Sequence, residues 1–149
     1  MRNERAAVLD ASVLVADAMV DEPFHQDAMD LLVALAERGY LLYLPAIAMP
    51  EVEAAIARGL GKPEMALEAT TYYRRWPGIQ VIAVDELLGD VAIKVAARQR
   101  IRGCDAVYVA LAQDRRATLI TLDREQRERS PANVTARSPR DMLAELSKP

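Results

Sequence analysis

The sequence predicts an α/β fold in which a mainly parallel sheet is covered by helices on both faces. Three observations carry that expectation. Short apolar runs alternate with longer stretches of helical periodicity along the whole chain. Two of the short runs, AAVLD at 6–10 and ATLITLD at 117–123, are apolar almost throughout, as strands buried on both faces are. The chain has 149 residues, 52% of them hydrophobic and spread evenly, with no repeat, linker or low-complexity segment, so a single domain over 1–149 is expected.

The elements follow in order. AAVLD is the first strand, and ASVLVADAM after it has helical spacing. In FHQDAMDLLVALAERG a stripe of Met29, Leu32, Val33, Leu35 and Ala36 predicts a helix that Gly39 stops. YLLYLP is the second strand, closed by Pro45. AIAMPEVEAAIARGL is helical provided Pro50 lies in its first turn, and Gly59 and Gly61 break it. Pro63 opens PEMALEATTYYRRW, and Pro77-Gly78 turns the chain into the strand IQVIAV. ELLGDVAIKVAARQRI is a long helix ending near Gly103, DAVYVALAQDRR a shorter one, and ATLITLD the next strand. A short strand is expected near NVTAR. The last helix, SPRDMLAEL, carries Ser138 at its N-cap, Pro139 at N1 and Asp141 at N3.

Composition narrows the function. No apolar segment approaches the roughly 20 residues that span a bilayer, and the N-terminus shows no signal-peptide pattern. With one cysteine, Cys104, and no export signal, a cytoplasmic protein is expected. The net charge of −3 hides a division: residues 1–69 carry 5 basic and 12 acidic side chains, residues 70–149 carry 14 and 10. Every basic residue between 98 and 140 is arginine, whose planar fork suits phosphate. For any one of them a solvated helix face is the better reading, and the cluster permits a nucleic-acid surface without demonstrating one.

In open parallel sheets, ligands bind beyond the carboxyl ends of the strands. Asp10 and Asp123 stand at two such ends. Asp105 opens the helix leading into the strand that Asp123 closes, so it returns to the same edge. Glu51 falls in the first turns of the helix after the second strand, beside the apolar side formed by Ile47, Val52 and Ile56. Taken singly, Asp105 reads as an N-cap, Asp123 as a turn residue and Glu51 as a surface helix residue. Asp10, between an apolar strand and an apolar helix, is harder to read as incidental.

Four carboxylates share a pocket at neutral pH only with a cation, because their repulsion raises their pKa values. Oxygen ligands select a hard divalent ion, Mg2+ with Mn2+ as an alternative. His25, in the polar entry to a helix, reads as a surface residue. With one histidine and one cysteine, neither a zinc site nor a Cys-His or Ser-His nucleophile is available. No GxxxxGK[ST] or GxGxxG phosphate loop is present. The matching chemistry is phosphodiester hydrolysis by metal-activated water.

Four segments, VLDASVLVA (8–16), PEVEAAIARG (50–59), GCDAVYVALAQ (103–113) and TLITLD (118–123), together resemble PIN domains, and among those the VapC-type toxins of toxin–antitoxin pairs. The resemblance covers nearly the whole chain. It implies a three-layer α/β/α sandwich, an Mg2+ site built from Asp10, Glu51, Asp105 and Asp123, and endoribonuclease activity. It also implies supporting hydroxyls at Ser12 and Thr121, a homodimer, and a small antitoxin that occupies the cleft. Glu53 lies about 200° round the helix from Glu51, so only one of them faces the site, and Glu51 fits the motif. After Asp123 the chain continues REQRER. Glu125 is expected to face outward, with Arg124, Arg127 and Arg129 available to an RNA backbone.

Rival readings are weighed by the same residues. A phosphoacceptor receiver domain needs adjacent acids after the first strand and a lysine at a later strand end, whereas this strand ends LDAS and the lysines are Lys62, Lys94 and Lys148. Haloacid-dehalogenase-type phosphatases need Asp-x-Asp, and position 12 is serine. A PIN-like module that binds RNA or protein with little nuclease activity stands as the alternative. In PEMALEATTYYRRW, the aromatics Tyr72, Tyr73 and Trp76 exceed what a small core needs, so a dimer or antitoxin contact is expected there, with core packing as the other reading for Trp76.

Overall fold

Five short segments pair into one sheet in which every ladder is parallel. They are β1 (Ala6–Leu9), β2 (Leu41–Pro45), β3 (Ile79–Ile82), β4 (Thr118–Ile120) and β5 (Ala136–Arg137), in the order β3-β2-β1-β4-β5. The structure is a computed structural model, which describes residues 5–149. Parallel pairing requires a crossover between strands, and helices supply it. These are α1 (Ala11–Ala18), α2 (His25–Glu37), α3 (Ala48–Leu60), α4 (Pro63–Arg75), α5 (Glu86–Gln99), α6 (Gly103–Arg115), α7 (Arg124–Arg129) and α8 (Pro139–Leu146). The expected α/β/α sandwich with a parallel sheet is what the chain forms.

Burial follows the layering. Ala7, Val8, Leu9, Leu42, Leu44, Leu119 and Ile120 have no solvent exposure, because helices close both faces of the central strands. Helix α6 packs on β1, β2 and β4 and is itself covered by α5; α1 packs against α2 and α3, and α2 against α8. The edge strand β3 leaves Gln80 and Val81 exposed.

The order of the strands positions the site. From β1 the sheet grows outward through β2 and β3, then β4 and β5 are added on the other side of β1. The direction of winding therefore reverses between β1 and β4, and a crevice opens there at the carboxyl ends. In register, Leu9 pairs with Ile120, so Asp10 and Thr121 leave the sheet side by side.

Most local signals act as expected. Pro50 lies in the first turn of α3, and the Ser138 hydroxyl accepts from the Asp141 N–H at 3.1 Å, with Pro139 at the start of α8. Gly61 ends α3 in the left-handed region, φ 63°. Several expectations need correction. The buried stripe of α2 is Ala28, Leu31, Leu32 and Leu35, whereas Met29 is 38% and Val33 47% exposed. Helix α5 stops at Gln99, because Arg100 takes a left-handed conformation (φ 54°) that lets Ile101 turn into the core. The residues REQRER form α7, a helix the apolar pattern did not announce. His25 is half-buried, its Nδ1 2.8 Å from the Ala16 carbonyl oxygen.

The aromatic helix divides its residues. Tyr73 is core, its hydroxyl 2.9 Å from the Leu14 carbonyl oxygen and 2.5 Å from Asp17 Oδ2. Tyr72 is 56% exposed and meets half-buried Trp76 edge to face, with ring centroids 5.3 Å apart. No helix among the described residues is long and apolar enough to cross a membrane.

Candidate active site

The site begins with two strand ends tied together by hydroxyls. Asp10 ends the run of β1, and its N–H donates to the Ile120 carbonyl at 2.9 Å, which continues the ladder with β4. Its Oδ2 accepts from the Ser12 N–H at 3.1 Å, making Asp10 the N-cap of α1, and from the Thr121 hydroxyl at 3.2 Å. Thr121 Oγ1 in turn accepts from the Asp123 N–H at 3.0 Å, and Ser12 Oγ accepts from the Leu122 N–H at 3.1 Å. Thr121 thus orients Asp10 directly. Ser12 orients it through the backbone and uses its hydroxyl to hold the β4 exit against the β1 exit.

Asp123 is the N-cap of α7, accepting from the Gln126 N–H at 3.0 Å. Asp105 is not an N-cap: α6 starts at Gly103, with Arg102 as its cap residue, and Asp105 lies in the first turn. There it is half-buried and lies at the favourable, positive end of the helix dipole. Glu51, in the first turn of α3, accepts a 2.5 Å hydrogen bond from the hydroxyl of buried Tyr108 on α6. Glu53 accepts instead from Thr70 of α4 at 3.0 Å, so Glu51 is the one turned to the site.

Electrostatics links these groups. Asp10 is 7% exposed, and burial pushes its carboxyl above the ordinary aspartate range. Contacts with Ser12 oppose the rise, while the neighbouring charges of Asp105 and Glu51 add to it. Asp10 therefore feels the charge of acids on two other elements, Asp105 of α6 and Glu51 of α3. The fourth, Asp123, is joined to Asp105 by Arg102, whose guanidinium lies 2.9 Å from Asp105 Oδ2 and 3.7 Å from Asp123 Oδ2. Burial also pushes the Tyr108 phenol far above its usual range, and its bond to Glu51 adds to that. Tyr108 is consequently a permanent donor that fixes the Glu51 carboxylate.

Among the described residues, no three acidic, histidine or cysteine side chains converge as a ready-made metal cage. The donor set nevertheless suits Mg2+. Every oxygen donor is hard, and this ion usually takes one or two carboxylates and completes its shell with water and phosphate.

The arginines after Asp123 are placed differently from one another. Arg124 is exposed and pairs with Glu128 at 2.6 Å. Arg127 donates to the Thr121 carbonyl at 2.9 Å, bracing the β4 exit. Glu125 pairs with Arg129 at 2.5 Å on the outer side of α7, as its outward placement in the sequence suggested.

Comparison with protein-family models gives a match to the PIN domain over residues 7–130. The chain belongs to the PIN domain family. Solved structures agree on the fold. The Mycobacterium tuberculosis toxin VapC20, described as cleaving the sarcin-ricin loop, superposes with a TM-score of 0.72 at 17% identity, covering 87% of this chain and 98% of that one. VapBC2 from Rickettsia felis, solved with a DNA fragment of its promoter, gives 0.70 at 14% identity over 89% and 98%. FitAcB from Neisseria gonorrhoeae gives 0.69 at 17% over 89% and 97%. No curated protein matches the chain by sequence.

Three residues of this PIN domain's site escaped the sequence reading. Tyr108 sits one helical turn after Asp105 on the same face of α6, a spacing that was there to be used. Gln126 is buried and its Nε2 donates to the Asp105 carbonyl at 3.1 Å, locking the start of α6 onto α7. Its partner signal was the Asp-x-x-Gln spacing of a helix start. Arg102 had no signal beyond its charge. Replacing Tyr108 by Phe keeps the packing and removes the donor to Glu51. The expected outcome is a loss of about 1 kcal/mol in unfolding free energy, checked by denaturant unfolding.

Proposed function

We propose that this PIN domain is a Mg2+-dependent endoribonuclease of the VapC kind, the toxin of a toxin–antitoxin pair. The reading is supported by the closeness of Asp10 to Asp105 and Glu51 and by Arg102, which joins Asp105 to Asp123, beside the switch point between β1 and β4. Membership of the PIN family supports a nuclease, and fold neighbours described as VapBC and toxin–antitoxin complexes support a small antitoxin as partner. A homodimer and a cytoplasmic location belong to the same proposal.

Asp10, Glu51, Asp105 and Asp123 are the residues that would hold Mg2+, with Mn2+ able to replace it. When bound, the ion neutralises phosphate charge and lowers the barrier for water to attack phosphorus. The chain's own groups do the positioning. Thr121 and the Ser12 amide keep one Asp10 oxygen fixed, and Tyr108 keeps a proton on its own oxygen and so holds Glu51. Exposed Arg124 is available to the RNA backbone, and Arg127 has donors beyond the one given to Thr121.

The test is cleavage of a panel of structured RNAs in Mg2+, in Mn2+ and in EDTA. Divalent-dependent endonucleolytic cuts are expected, and intact RNA across the panel in both metals would sink the proposal. The second reading, an RNA- or protein-binding PIN module with little turnover, is favoured by one feature: Asp105 and Glu51 are already engaged by Arg102 and Tyr108. It predicts RNA binding without cuts in the same panel.

A further inference from the structure

Arg102 is an exposed residue that meets two acids of the site. Its side chain is 76% exposed, yet its guanidinium spans two carboxylates that belong to different elements, Asp105 of α6 and Asp123 at the cap of α7. Its side chain caps nothing, since α6 has no side-chain cap hydrogen bond. Isolated surface pairs contribute little, because both side chains lose freedom in high dielectric. A guanidinium is drawn here by the summed potential of several acids around one crevice.

The oxygens it takes matter. Asp123 gives Oδ1 to the Gln126 N–H and turns Oδ2 to Arg102. Asp105 likewise turns Oδ2 to Arg102. These oxygens are among those the two acids would offer a divalent ion, so Arg102 and the ion would compete for the same carboxylates. Arg102 meets them as a single charge, hydrogen-bonded to Asp105 and ion-paired with Asp123 at 3.7 Å, whereas Mg2+ carries two charges and approaches oxygen to about 2.0–2.1 Å.

We propose that Arg102 is the built-in counter-cation of this site, bridging Asp105 and Asp123 until a divalent ion displaces it, whereupon the freed guanidinium takes an RNA phosphate. The inference rests on the metal-dependent nuclease reading and deepens it. Arg102 raises the divalent concentration the site requires, and then contributes to holding the substrate. Arginine suits the second task because its fork matches phosphate geometry.

Mn2+ titration by calorimetry, without RNA, tests the first half on the full chain. Arg102→Gln is expected to bind Mn2+ about three- to tenfold more tightly than the native protein, since one competing charge is gone. Arg102→Lys, which keeps the charge but not the fork, is expected to move the same way by a smaller factor. Affinity for a 2′-O-methyl RNA that resists cleavage, measured at saturating Mn2+, tests the second half. It should fall severalfold in Arg102→Gln, and the slope against salt should lessen by about 1. Tighter metal with weaker RNA is a pair of shifts that a structural role alone does not produce. Unchanged or weaker Mn2+ binding in both variants overturns the Arg102 proposal and leaves the metal site standing. A native protein that binds no Mn2+ overturns the metal site, and this inference with it.

Discussion

Under the proposed nuclease reading, Asp105→Asn is expected to reduce divalent-dependent RNA cleavage by about a thousandfold or more while the protein remains folded. The scale follows from chemistry: a metal supplies several kcal/mol of barrier lowering, and each 1.36 kcal/mol is about tenfold in rate. The fold has little to lose. Asp105 is not the cap of α6, its side chain is half-buried, and its pairing with Arg102 is an exposed one. Its backbone carbonyl keeps the Gln126 hydrogen bond in the variant. Asp114→Asn is the matching control, an identical charge change on the same helix, where the native side chain pairs with Arg115 at 3.3 Å away from the strand ends. Circular dichroism and thermal unfolding should match the native protein in both variants, and only Asp105→Asn should stop cutting. Native-rate cleavage by rigorously purified Asp105→Asn would place the chemistry elsewhere.

The two strand-end acids were legible because their environment is written locally. An apolar run ending in Asp states both burial and position, and the parallel topology does the rest, as the Leu9–Ile120 register shows. Asp105 was legible as a helix-start residue but not as to which position it takes. Helix α6 begins two residues earlier, at Gly103, so the capping falls to the ends of β1 and β4 instead. Helix boundaries shift this easily because one turn contributes little free energy by itself.

What was not legible depends on partners distant in sequence. Tyr108 holds Glu51 across 57 positions, and nothing in either segment announces it. Helix α7 is anchored by buried Gln126 rather than by an apolar stripe, so hydrophobic periodicity could not find it. In α2, the sets Met29-Val33-Ala36 and Ala28-Leu32-Leu35 both satisfy a 3.6-residue period. Packing against α1 and α8 selects the second. Arg100 ends α5 in a left-handed conformation without being glycine, at a cost of about 1 kcal/mol. The burial of Ile101 just beyond offsets it.

A site that gathers acids around a buried aspartate should burden the fold that carries it, and Asp10→Asn is expected to make the metal-free protein more stable. The substituted amide is nearly isosteric with the carboxylate, and its oxygen can accept from the Ser12 N–H and the Thr121 hydroxyl just as Asp10 Oδ2 does. What disappears is the cost of a carboxylate with 7% exposure beside Asp105 and Glu51. Relieving such functional-site costs commonly gives about 0.5–2 kcal/mol, and for a chain of this size each kcal/mol is worth about 2–4 °C in Tm. The sign can be checked against pH. Burial raises the Asp10 carboxyl in the folded state, so the unfolded chain gives up that proton first as pH rises. Native stability from this group is therefore full below the ordinary aspartate value of about 3.9 and is lost as pH climbs through the raised folded value. The advantage of Asp10→Asn should accordingly be greatest at neutral pH in EDTA and shrink toward pH 4. Under the proposed metal site, added Mn2+ should reverse the order, because only the native site would gain by binding it. Equal melting of the two proteins in EDTA at pH 7 would mean that Asp10 carries no such cost.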